Sequence, residues 1–166
     1  ITSVKNNKLP QALMFICNEG TGGLPLALAF TQYINCENKT NGNDIQGIIG
    51  DSCGDCPSCK KMKKLIHPDV HFSYPVVKKQ TNEPPISIDY INEWRNAIVE
   101  EPYVTYFEWL GKLNAENKQG NITIKECHNI IKKLSLKAYE GGMKILIMWL
   151  PEFLGKNGNS LLKLME

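Results

Sequence analysis

Long apolar runs are missing from this sequence. No stretch approaches the roughly 18 uninterrupted apolar residues of a membrane-spanning helix. No signal peptide is visible either. Charge of one sign is also scarce. Nineteen Lys and Arg face 17 Asp and Glu, a net charge of +2. That is too little for an overall electrostatic footprint directed at DNA or a membrane. Internal repeats are absent as well. What remains is a globular balance: 166 residues, 42% hydrophobic, enough to bury one core with room for a small insert. The chain opens on Ile1 and stops at Glu166 inside a helical pattern, so it reads as a piece of a longer protein.

Cysteine is not scarce. There are six: Cys17, Cys36, Cys53, Cys56, Cys59 and Cys127. An even count suits disulfides only in a secreted setting. Here three cysteines fall in "CGDCPSC", and clustering of this kind favours a metal and an intracellular, cytoplasmic chain. With Cys36 the pattern is C-x16-C-x2-C-x2-C. Four thiolates match tetrahedral Zn2+. The Gly and Pro within the cluster suit tight turns, and the long loop from Cys36 closes at modest entropic cost. The pattern offers no open ligand position and no acid–base set, so the expected site is structural. An iron–sulfur cluster, free reduced cysteines and a C-x-x-C redox pair stay open. His67 and His71 are spare ligand candidates. Cys17 and Cys127 lie on apolar elements and are expected in the core.

"CNEGTGGLPLALAF", residues 17–30, has the outline of a phosphate loop opening into a helix, but its chemistry is missing. The working motif G-x-x-x-x-G-K-[ST] supplies a lysine for the phosphates and a hydroxyl for Mg2+. With the second glycine on Gly22, the first falls on Cys17, the lysine on Gly23 and the hydroxyl on Leu24. Glu19 adds negative charge, and Pro25 removes a donor near the helix start. A plain strand-to-helix turn is the competing reading, and a dinucleotide fingerprint fails for want of a third glycine. A second acidic motif should end a strand, yet "MKILIMWL" runs into Trp149, Leu150 and Pro151, with Glu152 the nearest acid. Gly20, Gly22, Gly23 and Leu24 therefore read either as a vestigial loop, not expected to bind ATP, or as that plain turn.

The periodicity predicts a buried strand over 11–17 and a helix, apolar almost all round, after Pro25. Residues 37–52 read as a loop, and "KKMKKLI" as a short helix whose Lys60, Lys61, Lys63 and Lys64 form a solvated face rather than a DNA contact. "DVHFSYPVV" alternates as a strand. Helical spacing follows at Ile88, Ile91, Trp94, Ala97 and Ile98, then an aromatic and polar excursion. A helix beginning near Ile122 carries Cys127, Ile130, Ile131 and Leu134 and closes at Gly141–Gly142. "MKILIMWL" reads as a central strand of a parallel sheet. A turn and an amphipathic helix end the chain. The fold class is α/β.

In this order the segments resemble a known family. "FICNEGTGGLPLALAFTQYINC" looks like the stretch of bacterial clamp-loader subunits from the first strand through the phosphate loop to a zinc ligand. "CGDCPSCKKMKKLIHPDV" is similar to their zinc module and the HPD segment typical of the delta-prime subunit family of DNA polymerase III. "ITIKECHNIIKKL" and "GGMKILIMWLPEFL" through "GNSLLKLME" resemble the next stretch. The resemblance implies an AAA+ parallel sheet flanked by helices over 1–166, incomplete at its C-terminus. It implies an inserted zinc module over 36–66 and a lineage-specific insertion over 73–121. It implies a non-hydrolysing stator that helps load the sliding clamp on primed DNA. Its partners would be the tau/gamma ATPase subunits and delta, and no membrane. Its arginine finger would lie beyond Glu166. Two features depart from the family: the Cys36–Cys53 spacing is longer than usual, and so is 73–121. Tyr90, Trp94, Tyr103, Tyr106, Phe107 and Trp109 of that insertion are expected to pack onto the domain, with a docking surface for another replication protein as the sharper reading. A divergent ATPase subunit, and a stand-alone zinc-module nucleic-acid binder, are the other function classes.

Overall fold

The computed structural model describes residues 9–40, 50–78, 83–140 and 142–165. Ten elements follow in order: α1 (Gly23–Asn35), α2 (Pro57–Lys63), β1 (Val70–Ser73), a 3-10 turn (Ser87–Tyr90), α3 (Ile91–Glu100), α4 (Tyr106–Lys112), α5 (Ile124–Leu134), β2 (Ile145–Met148), a 3-10 stretch (Pro151–Leu161) and α6 (Leu162–Met165). No described helix is long and apolar enough to cross a membrane.

The two strands pair in parallel, Val70 opposite Ile145 and Ser73 opposite Met148. The flanking bonds run from the Ile145 N–H to the Asp69 carbonyl and from the Trp149 N–H to the Ser73 carbonyl, both 2.9 Å. Alternation along the strands divides the side chains between two cores. Val70, Phe72, Ile145, Ile147 and Trp149 join Leu24 of α1 and the aromatic residues of α3 and α4 on one face. Leu146 and Met148 meet Cys127, Ile130 and Leu161 on the other, where α5 and the 151–165 segment pack. Helices thus cover both faces of a small parallel sheet, the α/β arrangement such strands require.

Local chemistry sets the helix starts. The Thr105 side chain accepts from the Glu108 N–H while the Glu108 carboxylate takes the Thr105 N–H, a reciprocal capping box opening α4. Thr123 caps α5 the same way through the Glu126 N–H. Glu126 does not reach back. It is buried and takes the Ser87 N–H at 2.9 Å, tying α5 to the turn before α3.

Residues 73–121 are not a loose excursion. Tyr74 stacks on Trp94 with ring centroids 4.0 Å apart, and Trp109 meets Trp94 edge-on at 5.3 Å. Trp149, leaving β2, lies 5.4 Å from Trp94. Tyr90, Trp94 and Trp109 are buried, whereas Tyr103 and Phe107 are exposed. The Trp109 indole N–H donates to the Pro75 carbonyl at 2.7 Å.

Five expectations need correction. Residues 11–17 form no strand. Leu13, Met14, Phe15 and Ile16 are exposed, because no described strand offers them a ladder to join and apolar content alone cannot make one. Cys17 is exposed for the same reason. Helix α1 buries only Leu24, Thr31 and Tyr33. One face meets the sheet and α2, and Leu26 on the other is 55% exposed. Helix α5 ends at Leu134, well short of the two glycines, because Ser135 turns the chain and Lys144 Nζ donates to the Lys133 carbonyl at 3.0 Å. Strand β2 lies at the edge, not the middle, of the sheet among the described residues. Part of the 37–52 loop, residues 41–49, falls outside the described residues.

Candidate metal centre

Cys36 ends α1, where the chain leaves the helix in an extended conformation. Lys39 Nζ secures this end by donating to the Ile34 and Cys36 carbonyls. The chain then returns through Gly54, whose φ of +77° is the left-handed turn that glycine allows. Cys56 caps α2, with Pro57 in the first turn. The four Sγ atoms of Cys36, Cys53, Cys56 and Cys59 all lie within 4.8 Å of one another. Cys36, Cys56 and Cys59 are buried and Cys53 is half-buried.

Main-chain donors face these sulfurs in sequence. The Cys53 N–H donates to the Cys36 sulfur at 3.2 Å, the Cys56 N–H to the Cys53 sulfur at 3.3 Å, and the Cys59 N–H to the Cys56 sulfur at 3.4 Å. Donors aimed at sulfur favour thiolate. The main-chain N–H groups at Asp55 and Cys56 hold the Cys53 thiol below its ordinary range. At Cys56 burial works upward, but main-chain and thiol donors outweigh it and bring the group to about 6. Burial, reinforced by the Cys56 sulfur, pushes Cys59 up to about 12. Four thiols this close cannot all ionise without a cation between them. A tetrahedral ion with Zn–S bonds of about 2.3 Å sets sulfurs about 3.8 Å apart, and Cys36 and Cys53 stand 3.6 Å apart. The set could hold a metal ion and fits zinc, with soft thiolate donors and no fourth position left for substrate.

The histidines do not join it. His67 Nδ1 accepts the Asp69 N–H at 3.2 Å, and Nε2 lies 3.2 Å from a Glu140 carboxylate oxygen. His71 sits on the α5 side of β1. Burial, with Lys133 and Lys144 nearby, holds it below its ordinary value. Of the lysines on α2 and at its C-cap, Lys61 pairs with Glu140, while Lys60, Lys63 and Lys64 are exposed.

A network that sequence reading missed connects the centre to the sheet. Asp69 is buried at the start of β1, and its carboxylate takes the Tyr139 N–H at 2.7 Å and the Glu140 N–H at 2.8 Å. Glu140 reaches Lys61 on α2 and His67 in turn. The signal was Asp69 itself, a carboxylate placed directly ahead of a buried strand. Burial tends to raise its pKa, but the Glu140 and Tyr139 donors overcome that and hold it below the ordinary carboxylate value. Asp69 therefore stabilises the fold above the unfolded value near 4, and this is lost as pH falls through the folded value. Asp69→Asn is expected to cost about 1.5–3 kcal/mol at neutral pH, the worth of bonds to a charged group. Urea unfolding at pH 7 and at pH 3 will also show a shallower acid loss for the variant than for the parent.

The vestigial loop is placed as follows. Gly20 and Gly22 have φ of +72° and +106°. The Thr21 N–H and hydroxyl both donate to the Asn18 carbonyl, and the Leu26 N–H donates to the Gly22 carbonyl at the start of α1. A Cβ on Gly23 would fall 2.2 Å from the Cys17 sulfur, so a lysine there would have to displace that side chain. Leu24, at the hydroxyl position, is a core residue. At the strand exit Trp149 packs into the aromatic core, and Leu150 adopts φ +55°.

Searches among curated proteins and among solved structures return no match. Residues 1–166 match the model of the family described as DNA polymerase III, delta subunit, and the chain belongs to that family.

Proposed function

We propose that the chain is a non-hydrolysing, stator-type clamp-loader subunit of the delta-prime kind, built on an AAA+ domain. Family membership carries a clamp-loader-type role in DNA replication, in association with the other clamp-loader components. The finer reading rests on one observation. The positions that would carry nucleotide chemistry are filled by packing: the Cys17 sulfur lies against Gly23, Leu24 is in the core, and Trp149 is in the aromatic cluster. Residues 36–66 would be the inserted metal module and 73–121 a lineage-specific extension. The metal held by Cys36, Cys53, Cys56 and Cys59 would supply cross-linking and no catalysis. The chain would work in the cytoplasm with the tau/gamma ATPase subunits and delta, reaching the sliding clamp and primed DNA through the complex.

The full chain is expected to show no micromolar ATP or ADP binding by calorimetry and no turnover alone. Adding it to the ATPase subunits and delta is expected to raise clamp loading on primed DNA. Micromolar ATP binding with turnover would overturn the reading in favour of a divergent ATPase subunit.

A further inference from the structure

The glycine loop is covered by the inserted segment. Between α3 and α4 the chain turns through residues 101–105, and this turn lies across Gly20 and Gly22. A Cβ on Gly22 would meet the Tyr103 ring at 3.2 Å, and one on Gly20 would meet Thr105 Cγ2 at 3.6 Å and the Tyr103 carbonyl at 3.8 Å. The Glu19 carboxylate accepts the Tyr106 N–H. The turn is itself anchored at both ends. The Glu101 N–H bonds Ala97 O at 2.8 Å and Val104 is buried, while the Tyr106 hydroxyl accepts the Gly120 N–H at 2.8 Å and its ring packs on Phe153.

We infer that the 101–106 turn is a strap that closes the glycine loop, so that the loop now serves as the docking socket of the insertion. Its two fastenings are the Tyr103 ring over Gly22 and the Glu19 carboxylate on the Tyr106 N–H. Glycine at 20 and 22 serves two needs at once: the left-handed backbone and the close approach of the strap. A ligand approaching Gly20 and Gly22 from this side has to displace Tyr103. Glu19, which opposes a phosphate, is the residue that receives the strap. This inference concerns contacts within the chain and stands apart from the non-hydrolysing assignment.

Hydrogen exchange on the full chain tests it without any nucleotide. In the double variant Glu19→Gln, Tyr103→Ala, amides of 18–26 are expected to exchange about tenfold faster than in the parent, the factor that loss of one charge-assisted bond implies. Amides of β1 and β2 should keep their protection, since Glu19 is exposed and Tyr103 is 54% exposed. Tyr103→Phe, which keeps the ring, should exchange like the parent. Unchanged exchange at 18–26 in the double variant would overturn the strap, as would equal loss in Tyr103→Phe.

Discussion

Cys56→Ser is expected to leave the four-sulfur set unable to hold a metal ion and to lower the melting temperature by about 10 °C. The argument starts from the position of Cys56, which caps α2, receives the Cys59 N–H and lies between Cys53 and Cys59 in the cluster. A serine keeps the cap but not the soft donor, and three thiolates bind a tetrahedral ion far less tightly than four. Structural zinc contributes on the order of 10–16 kcal/mol in peptides that have no other core. Here the module borders a separate apolar core through Met62 and Leu65, so only part of that figure reaches global stability. A loss of about 3–5 kcal/mol converts to roughly 10 °C in a domain of this size. Elemental analysis of the parent should find one zinc per chain, and iron instead would reassign the centre to a cluster. Cys17→Ser, far from the four sulfurs, should keep the metal. A Cys56→Ser protein that retained both its metal and its melting temperature would refute the structural centre. The loss should also travel: α2 carries Lys61, Lys61 holds Glu140, and the Glu140 N–H is held by Asp69. Release of the module is therefore expected to speed exchange at Tyr139 and Glu140 as well as at 53–63.

The cysteine spacing was readable because a four-sulfur site is a local pattern, and local geometry then closes it with turns whose residues are written beside the ligands. Thr105–Glu108 and Thr123–Glu126 are equally local, a capping hydroxyl and the N–H it accepts three residues apart. What could not be read was anything decided by a neighbour. "QALMFIC" has the composition of a buried strand, but a strand exists only as half of a ladder, and among the described residues the run has no partner. The run after Pro25 is apolar almost all round, yet a helix is buried only on the face something else covers. Asp69 illustrates the reverse. Its role depends on two main-chain donors 70 and 71 residues away, which no periodicity could announce. The strap is the same case: Glu19 looked like an objection to phosphate, and the residue it serves, Tyr106, lies 87 positions downstream.

Trp94→Ala will destabilise the chain by about 3–5 kcal/mol, the range for emptying a buried aromatic site. Trp94 is 1% exposed and meets Tyr74, Trp109, Trp149 and Phe72. Its indole N–H has no partner among the described residues, so the cost is packing rather than a lost hydrogen bond. Two of its neighbours, Phe72 and Trp149, belong to the sheet strands or their exits, while Trp109 belongs to α4. Removing the indole therefore opens the seam between the parallel sheet and the 73–121 segment. Tyr74 cannot fill the gap, because its hydroxyl is held to the Ser87 carbonyl at 2.7 Å. Trp94→Phe should recover much of the loss. Phe107→Ala, at an exposed site on α4, should stay within about 0.5 kcal/mol of the parent. Urea unfolding of the three variants checks the series. If Trp94→Ala cost less than about 1 kcal/mol, or if unfolding split into two transitions, α3 and α4 would be a satellite resting on the sheet. A single transition with the full loss makes them part of its core. In that case the strap over the glycine loop is held by the same packing that holds β1 and β2.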